Sequence, residues 1–148
     1  MENIDSGAEE QIGKPKQEGV GVDWFLQLLV RWTNQGQLLY PITLLVDGLL
    51  VSGYLAEAKE YFDAMQEEWD QAIHGQTKKV SLFREIGETV REAQEAAAET
   101  FAPLPQFIHL KEARIFHPAG SPVPTNRMIW WRGRITEVDG FFLGTLSG

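Results

Sequence analysis

At 148 residues with a formal charge of −8 and no cysteine, the chain is long enough for one ordinary core without covalent staples. The lack of cysteine excludes a disulfide framework, a thiolate nucleophile and a Cys-type zinc site. The acidic balance argues against nucleic acid, where neutralisation of phosphate by Lys and Arg dominates affinity.

Met1 opens a polar, acidic stretch, so no secretory signal is expected. Residues 1–21 read as a disordered acidic tail, since Ile4, Ile12 and Val20 are its only large aliphatics. Residues 22–148 are expected to make a single α+β domain. A helix begins at Asp23, a good N-cap, and Phe25, Leu28, Leu29 and Trp32 follow at helical spacing. Asn34 and Gly36 are expected to end it.

From Leu38 the period changes. LLYPITLLVD and LLVSGYL are joined by Asp47-Gly48, the strongest short signal for a two-residue hairpin turn. Their near-continuous apolar character predicts cover on both faces, and Pro41 belongs at a strand start. The same run, Leu38 to Leu55, is broken by Pro41, Asp47, Gly48 and Gly53, so no membrane span is expected and the reading is a soluble, cytoplasmic protein.

Two helices follow. In the first, Ala58, Phe62, Met65, Trp69 and Ala72 line one side with Tyr61 alongside, and Gly75 is its expected end. In the second, Ser81 caps a thin stripe of Ile86, Val90, Ala93 and Ala97, and Pro103 and Pro105 stop it. FIHLKEARIFH is a strand whose apolar residues change phase, because Ile108 and Leu110 are out of step with Ala113 and Ile115. One extra residue near Lys111 or Glu112 would restore the register, so a bulge is expected there.

After a loop rich in Pro, Gly and Ser, alternation returns. Ile129, Trp131, Gly133 and Ile135 share one face, and Met128, Trp130, Arg132 and Arg134 the other. A second Asp-Gly, Asp139-Gly140, is expected to turn the chain into the last strand. The predicted architecture is an N-terminal helix and about five strands in a strongly bent antiparallel sheet or small barrel, with two helices inserted after the second strand. The helix followed by a Val-Asp-Gly hairpin resembles the Sm-like barrel, which offers an alternative function as a ring-forming or RNA-binding module.

Little here suggests catalysis. His109 and His117 lie eight apart on a strand with no evident third ligand, which leaves a metal site as a minor alternative. Asp47 and Asp139 precede glycine in turns, where Asp is favoured for local reasons. Ser52 lacks the glycine pattern of a nucleophile elbow. The reading is therefore no enzyme, no cofactor and no metal. What stands out is a surface. Trp and Arg dominate many protein interfaces, and Trp130, Arg132 and Arg134 share a strand face, with Arg114 and Lys111 nearby in the chain. Charge is also unevenly spread: residues 57–106 hold eleven acids against five bases, and 107–135 one acid against five bases. Either the acidic helices cover the basic face, or the two sides face different partners.

FIHLKEARIFHPAGSPVPTN (107–126) followed by WWRGRITEVDGFFLGTL (130–146) resembles the C-terminal half of the gas-vesicle accessory protein U family. LLVDGLLVSGYLAEAKEYFD extends the resemblance to roughly residues 22–146, and its most specific pieces are Phe107 to Lys111 and Trp131 to Gly144. It implies a non-enzymatic accessory role in forming, organising or clustering gas vesicles, with no family catalytic residue to carry over. The expected partners are the vesicle shell, other accessory proteins or a second copy of the chain, with neither nucleic acid nor membrane.

Overall fold

The computed structural model of the protein describes residues 21–36, 39–73, 81–98 and 104–147. The expected tail lies outside these apart from Gly21, as do the expected terminators Gly75 and Pro103. Helix α1 (Trp24–Asn34) starts where the sequence places it: the Asp23 carboxylate accepts from the N–H groups of Phe25 at 2.9 Å and Leu26 at 3.2 Å. It ends through Gln35 and Gly36, whose φ of 72° few other residues adopt without strain. The buried stripe is shifted from the expected one. Leu26, Leu29, Val30 and Thr33 enter the core, while Phe25 and Trp32 stay exposed. The aliphatic set is spaced i, i+3, i+4, i+7 and fits a narrow space that two large rings would overfill; Phe25 packs at the rim instead, 5.8 Å from the Phe141 ring.

Five strands form one antiparallel sheet: β1 (Pro41–Val46), β2 (Leu49–Leu55), β3 (Phe107–Phe116), β4 (Ile129–Arg134) and β5 (Gly140–Leu143). Their order is β4-β3-β2-β1-β5, so the sheet is open with β4 and β5 as its edges, and the barrel alternative is not realised. The first Asp-Gly behaves as expected: Asp47 and Gly48 have φ of 50° and 79°, as a tight hairpin turn requires.

The second Asp-Gly is not a hairpin. Strand β5 pairs with β1, and Gly140 already lies in that pairing, opposite Leu45. Asp139 instead braces the first turn: its N–H donates to the Leu45 carbonyl at 2.9 Å, and its carboxylate accepts from the Asp47 N–H at 3.1 Å. An Asp-Gly pair favours a tight turn only where the flanking strands pair with each other, and here they lie at opposite edges. The chain crosses between those edges through a short 3-10 turn, Ile135–Glu137. Four spacings of a flat sheet span roughly 19 Å sideways, and six residues reach at most about 20 Å. The link also has to travel along the strands, so the sheet must curl. Ile135, fully buried, crosses the concave side and joins Ile42, Leu44, Val51, Leu55, Ile108, Leu110, Ala113 and the α1 stripe in the core.

The expected bulge is present in β3. Its register against β4 shifts between Leu110 and Ala113, and Glu112 sits at φ 51°. The pairing of β2 with β3 shifts at the same level, between Ser52 and Tyr54. Gly53 is there because a Cβ would stand 2.9 Å from the Lys111 carbonyl oxygen and 3.1 Å from the Ala113 Cα.

Helices α2 (Ala58–Ala72) and α3 (Leu82–Ala98) form a hairpin on the convex face. The Asn34 side chain accepts from the Ala58 N–H at 3.0 Å, which ties the start of α2 to the end of α1. Of the expected α2 stripe, Ala58 is buried and Phe62 and Met65 are half-buried, whereas Trp69 stays exposed and stacks on Phe83 at 5.8 Å. Gln66, unmarked by the sequence, is buried and accepts from the Arg84 N–H at 3.2 Å, holding the first turn of α3 against α2. No helix among the described residues is long and apolar enough to cross a membrane.

Gly53→Ala is expected to lower stability by about 1–3 kcal/mol, because the new methyl meets rigid backbone on the neighbouring strand. Urea unfolding followed by tryptophan fluorescence measures it; an unchanged midpoint would show that the bulge yields freely.

Candidate interaction surface

Antiparallel register puts directly opposite residues on the same face. Arg134 lies opposite Phe107 and Arg132 opposite His109. Lys111 lies opposite Tyr54, and Arg114 opposite Ser52. The bulge keeps Arg114 in phase with His109 and Lys111, so all five residues singled out by the sequence, Trp130 included, sit on the convex face. They do not share one environment there.

Helix α2 claims three of them. Lys111 Nζ pairs with the Glu60 carboxylate at 3.1 Å. The Tyr61 ring stands edge-on to Trp130 at 6.4 Å and 4.9 Å from the ring of His109. Arg132 has its guanidinium 3.9 Å from the Phe107 ring centre and 5.5 Å from that of Phe62. Arg132 also donates to His109 Nε2 at 2.8 Å. Because arginine has no acceptor, Nε2 must accept, and the imidazole proton is assigned to Nδ1. That Nδ1 is buried without a hydrogen-bond partner.

Arg134 and Arg114 differ. Neither enters an ion pair among the described residues. Arg134 is exposed at the β4 edge, beside the exposed Phe107 ring. Within the helical hairpin Lys59 pairs with Asp63 and Glu88, and Arg91 with Glu88 and Glu95, so these acids do not reach the arginines of the sheet. The helix therefore covers the aromatic part of the basic face and leaves arginines at both sides uncompensated.

The remaining candidates for chemistry separate in space. His109 and His117 lie roughly 20 Å or more apart along β3, too far to share an ion. Among the described residues no group of three or more His, Asp or Glu could hold a metal. The groove of about 510 Å³ between α2 and α3 is lined mainly by charge, from Lys59, Asp63, Glu67, Asp70, Arg84 and Glu88. Ligand sites for small molecules are mostly apolar with a few placed polar groups.

Burial, reinforced by the positive charge of Arg132, pushes the His109 pKa down to about 3. The native state thus resists a proton that the unfolded chain accepts below about pH 6.5. The stability held by neutral His109 is complete above that pH and drains away toward pH 3, at up to about 1.4 kcal/mol per pH unit. His109→Phe, which keeps the ring contacts, is expected to flatten that acid slope. Urea unfolding of both proteins between pH 7 and pH 4 tests this, and parallel profiles would refute the assignment.

No curated protein and no solved structure matches the chain. Over residues 23–146, however, it matches the family described as gas vesicle protein GvpU-like. The match takes in all three helices and all five strands, including the strands that carry the convex face. The chain belongs to the gas vesicle protein GvpU-like family.

Proposed function

We propose that the protein is a cytoplasmic, non-enzymatic accessory that helps gas vesicles form or cluster by binding their shell or another accessory protein. The family membership supplies the gas vesicle. The contact surface we assign is the β4 side of the convex face: Arg134, with Phe107 beside it and the Arg132 stack behind. The observation that carries this reading is Arg134, an exposed arginine without an ion pair among the described residues, beside an exposed aromatic ring on an unpaired sheet edge. Arginine is among the residue types enriched where interface energy concentrates. Arg132 contributes through its stem and stack, and it is a poor site for charge reversal because His109 and both Phe rings depend on it.

A second reading, self-association, is favoured by a different observation. The strand order leaves the outer edges of β4 and β5 without a partner strand among the described residues, and open edges are templates for another chain. In that case the sheet edges, rather than the arginine, would carry the contact.

Flotation separates these. Purified protein is mixed with isolated gas vesicles, floated slowly and assayed in the top layer at low and high salt. The expected result is protein that rises with the vesicles and is released by salt, with recovery falling several-fold for Arg134→Glu at an unchanged melting temperature. Protein left below the vesicles rules out direct shell binding. An Arg134→Glu variant that floats like the parent rules out this surface.

A further inference from the structure

The convex face is covered unevenly, and its least covered end lies away from the helical hairpin. Register places Leu45, Leu50 and Phe116 in one row across β1, β2 and β3. The next row is Phe142, Thr43, Ser52 and Arg114, across β5, β1, β2 and β3. The segment after β5 seals the middle of this second row. Leu146 N–H donates to Ser52 Oγ at 2.7 Å, and the Thr43 hydroxyl donates to the Gly144 carbonyl at 2.8 Å. Thr43 and Ser52 are buried as a result. The apolar side chains around them are not: Leu45 is 40% exposed and Phe142 is 48% exposed.

Arg114 closes this patch on the β3 side. Its Nε is buried and has no hydrogen-bond partner, and no carboxylate pairs with its guanidinium among the described residues. At the β1–β2 hairpin, the Asp139 carboxylate accepts from the Asp47 N–H at 3.1 Å rather than pairing with a cation. Arg114 is half-buried next to Ser52 and the half-buried Phe116, which stands at the β3 end of the row that runs on to Leu50 and the exposed Leu45. It lacks an anionic acceptor among the described residues, and charge complementarity defines what should supply one.

We propose that this end of the sheet docks an apolar segment of a partner protein that carries a carboxylate. The carboxylate meets Arg114, and the apolar side chains cover Leu45, Leu50, Phe116 and Phe142. The acids of the Asp47 turn make the opposite end of the patch negative, so the segment lies with its carboxylate toward β3. A basic or uncharged segment leaves the charge of Arg114 uncompensated. A second copy could meet Arg114 with an acid only by packing end for end, with its Asp47 turn over β3, an arrangement that light scattering would read as a dimer. This site lies at the β1–β2–β5 end and is separate from the Arg134 edge.

Selection of random heptapeptides displayed on phage, with the immobilised full chain as bait, tests the proposal. Enriched peptides are expected to combine two or more large apolar residues with Asp or Glu. Arg114→Gln, confirmed to melt like the parent, should lose the carboxylate preference by tenfold or more, while Arg114→Lys keeps part of it. Leu45→Glu, on an exposed side chain, should abolish enrichment whether or not the Arg114 variants fold. Peptides without a carboxylate, a preference indifferent to Arg114→Gln, or no enrichment by a chain that light scattering shows to be monomeric would each overturn it. A dimer that Phe142→Glu splits would place a second copy on the patch, and the proposal would fall.

Discussion

One extra residue in β3 sets the arrangement of the whole sheet. Without it the strand could keep either Ile108 and Leu110 or Ala113 and Ile115 in the core, but not both pairs, because side chains alternate with a strict period of two. With Glu112 at φ 51°, all four face the concave side. The same insertion brings His109, Lys111, Arg114 and Phe116 into line on the convex side. Gly53 is the matching concession on β2, since the bulged backbone comes too close for any side chain there. Core packing and the convex surface are therefore two consequences of one local distortion.

The curl of the sheet follows from a second constraint, the short passage from β4 to β5. It leaves a concave side that α1 and the Ile135 turn fill, and a convex side on which α2 packs against β3 while α3 packs on α2. Helix α2 meets the sheet at β3, where Tyr61, Phe62 and Glu60 take up His109, Arg132 and Lys111. Beyond that footprint the cover consists of the segment after β5, which hydrogen-bonds over Thr43 and Ser52 and stops. Apolar residues at the β1–β2 hairpin end are exposed because nothing among the described residues reaches them.

Much of this was legible in the sequence because the signals were local. Asp23 capping, the Asp47-Gly48 turn, the phase break in FIHLKEARIFH and the alternation through RMIWWRGR each depend on neighbours a few residues away. The failures were non-local. Asp139-Gly140 carries the same turn chemistry as Asp47-Gly48, yet its strands lie at opposite edges, which no window of ten residues reveals. The α1 stripe was misplaced by about one position because Phe25 and Trp32 are apolar enough to be read as core, and only the width of the concave side excludes them. Cover on both faces of β1 and β2 was inferred from composition and holds in the middle of the sheet, but not at Leu45 and Leu49. For the candidate surface, the sequence put Trp130, Arg132 and Arg134 on one face. It could not tell which arginine a helix would claim.

That division among the arginines bears most directly on function. Arg132, Arg134 and Arg114 are the same residue type on the same face, yet their surroundings give them different work. Arg132, though exposed, lies over the Phe107 ring and near that of Phe62 and donates to a histidine that burial keeps neutral, so its guanidinium is engaged within the protein. An imidazolium in that place would set two cations 2.8 Å apart, which ties the integrity of the stack to the low pKa of His109. Arg134 and Arg114 have no internal use of that kind. Leaving a cation unpaired beside apolar side chains does nothing for folding, and the chain has acids in excess that could have neutralised both. Of the acids on the α2–α3 hairpin, Asp63, Glu88 and Glu95 pair with Lys59 and Arg91, and Glu60 reaches Lys111 on the sheet. Arg134 and Arg114 are without an ion pair among the described residues, and it is on these two that the proposed contact surfaces rest.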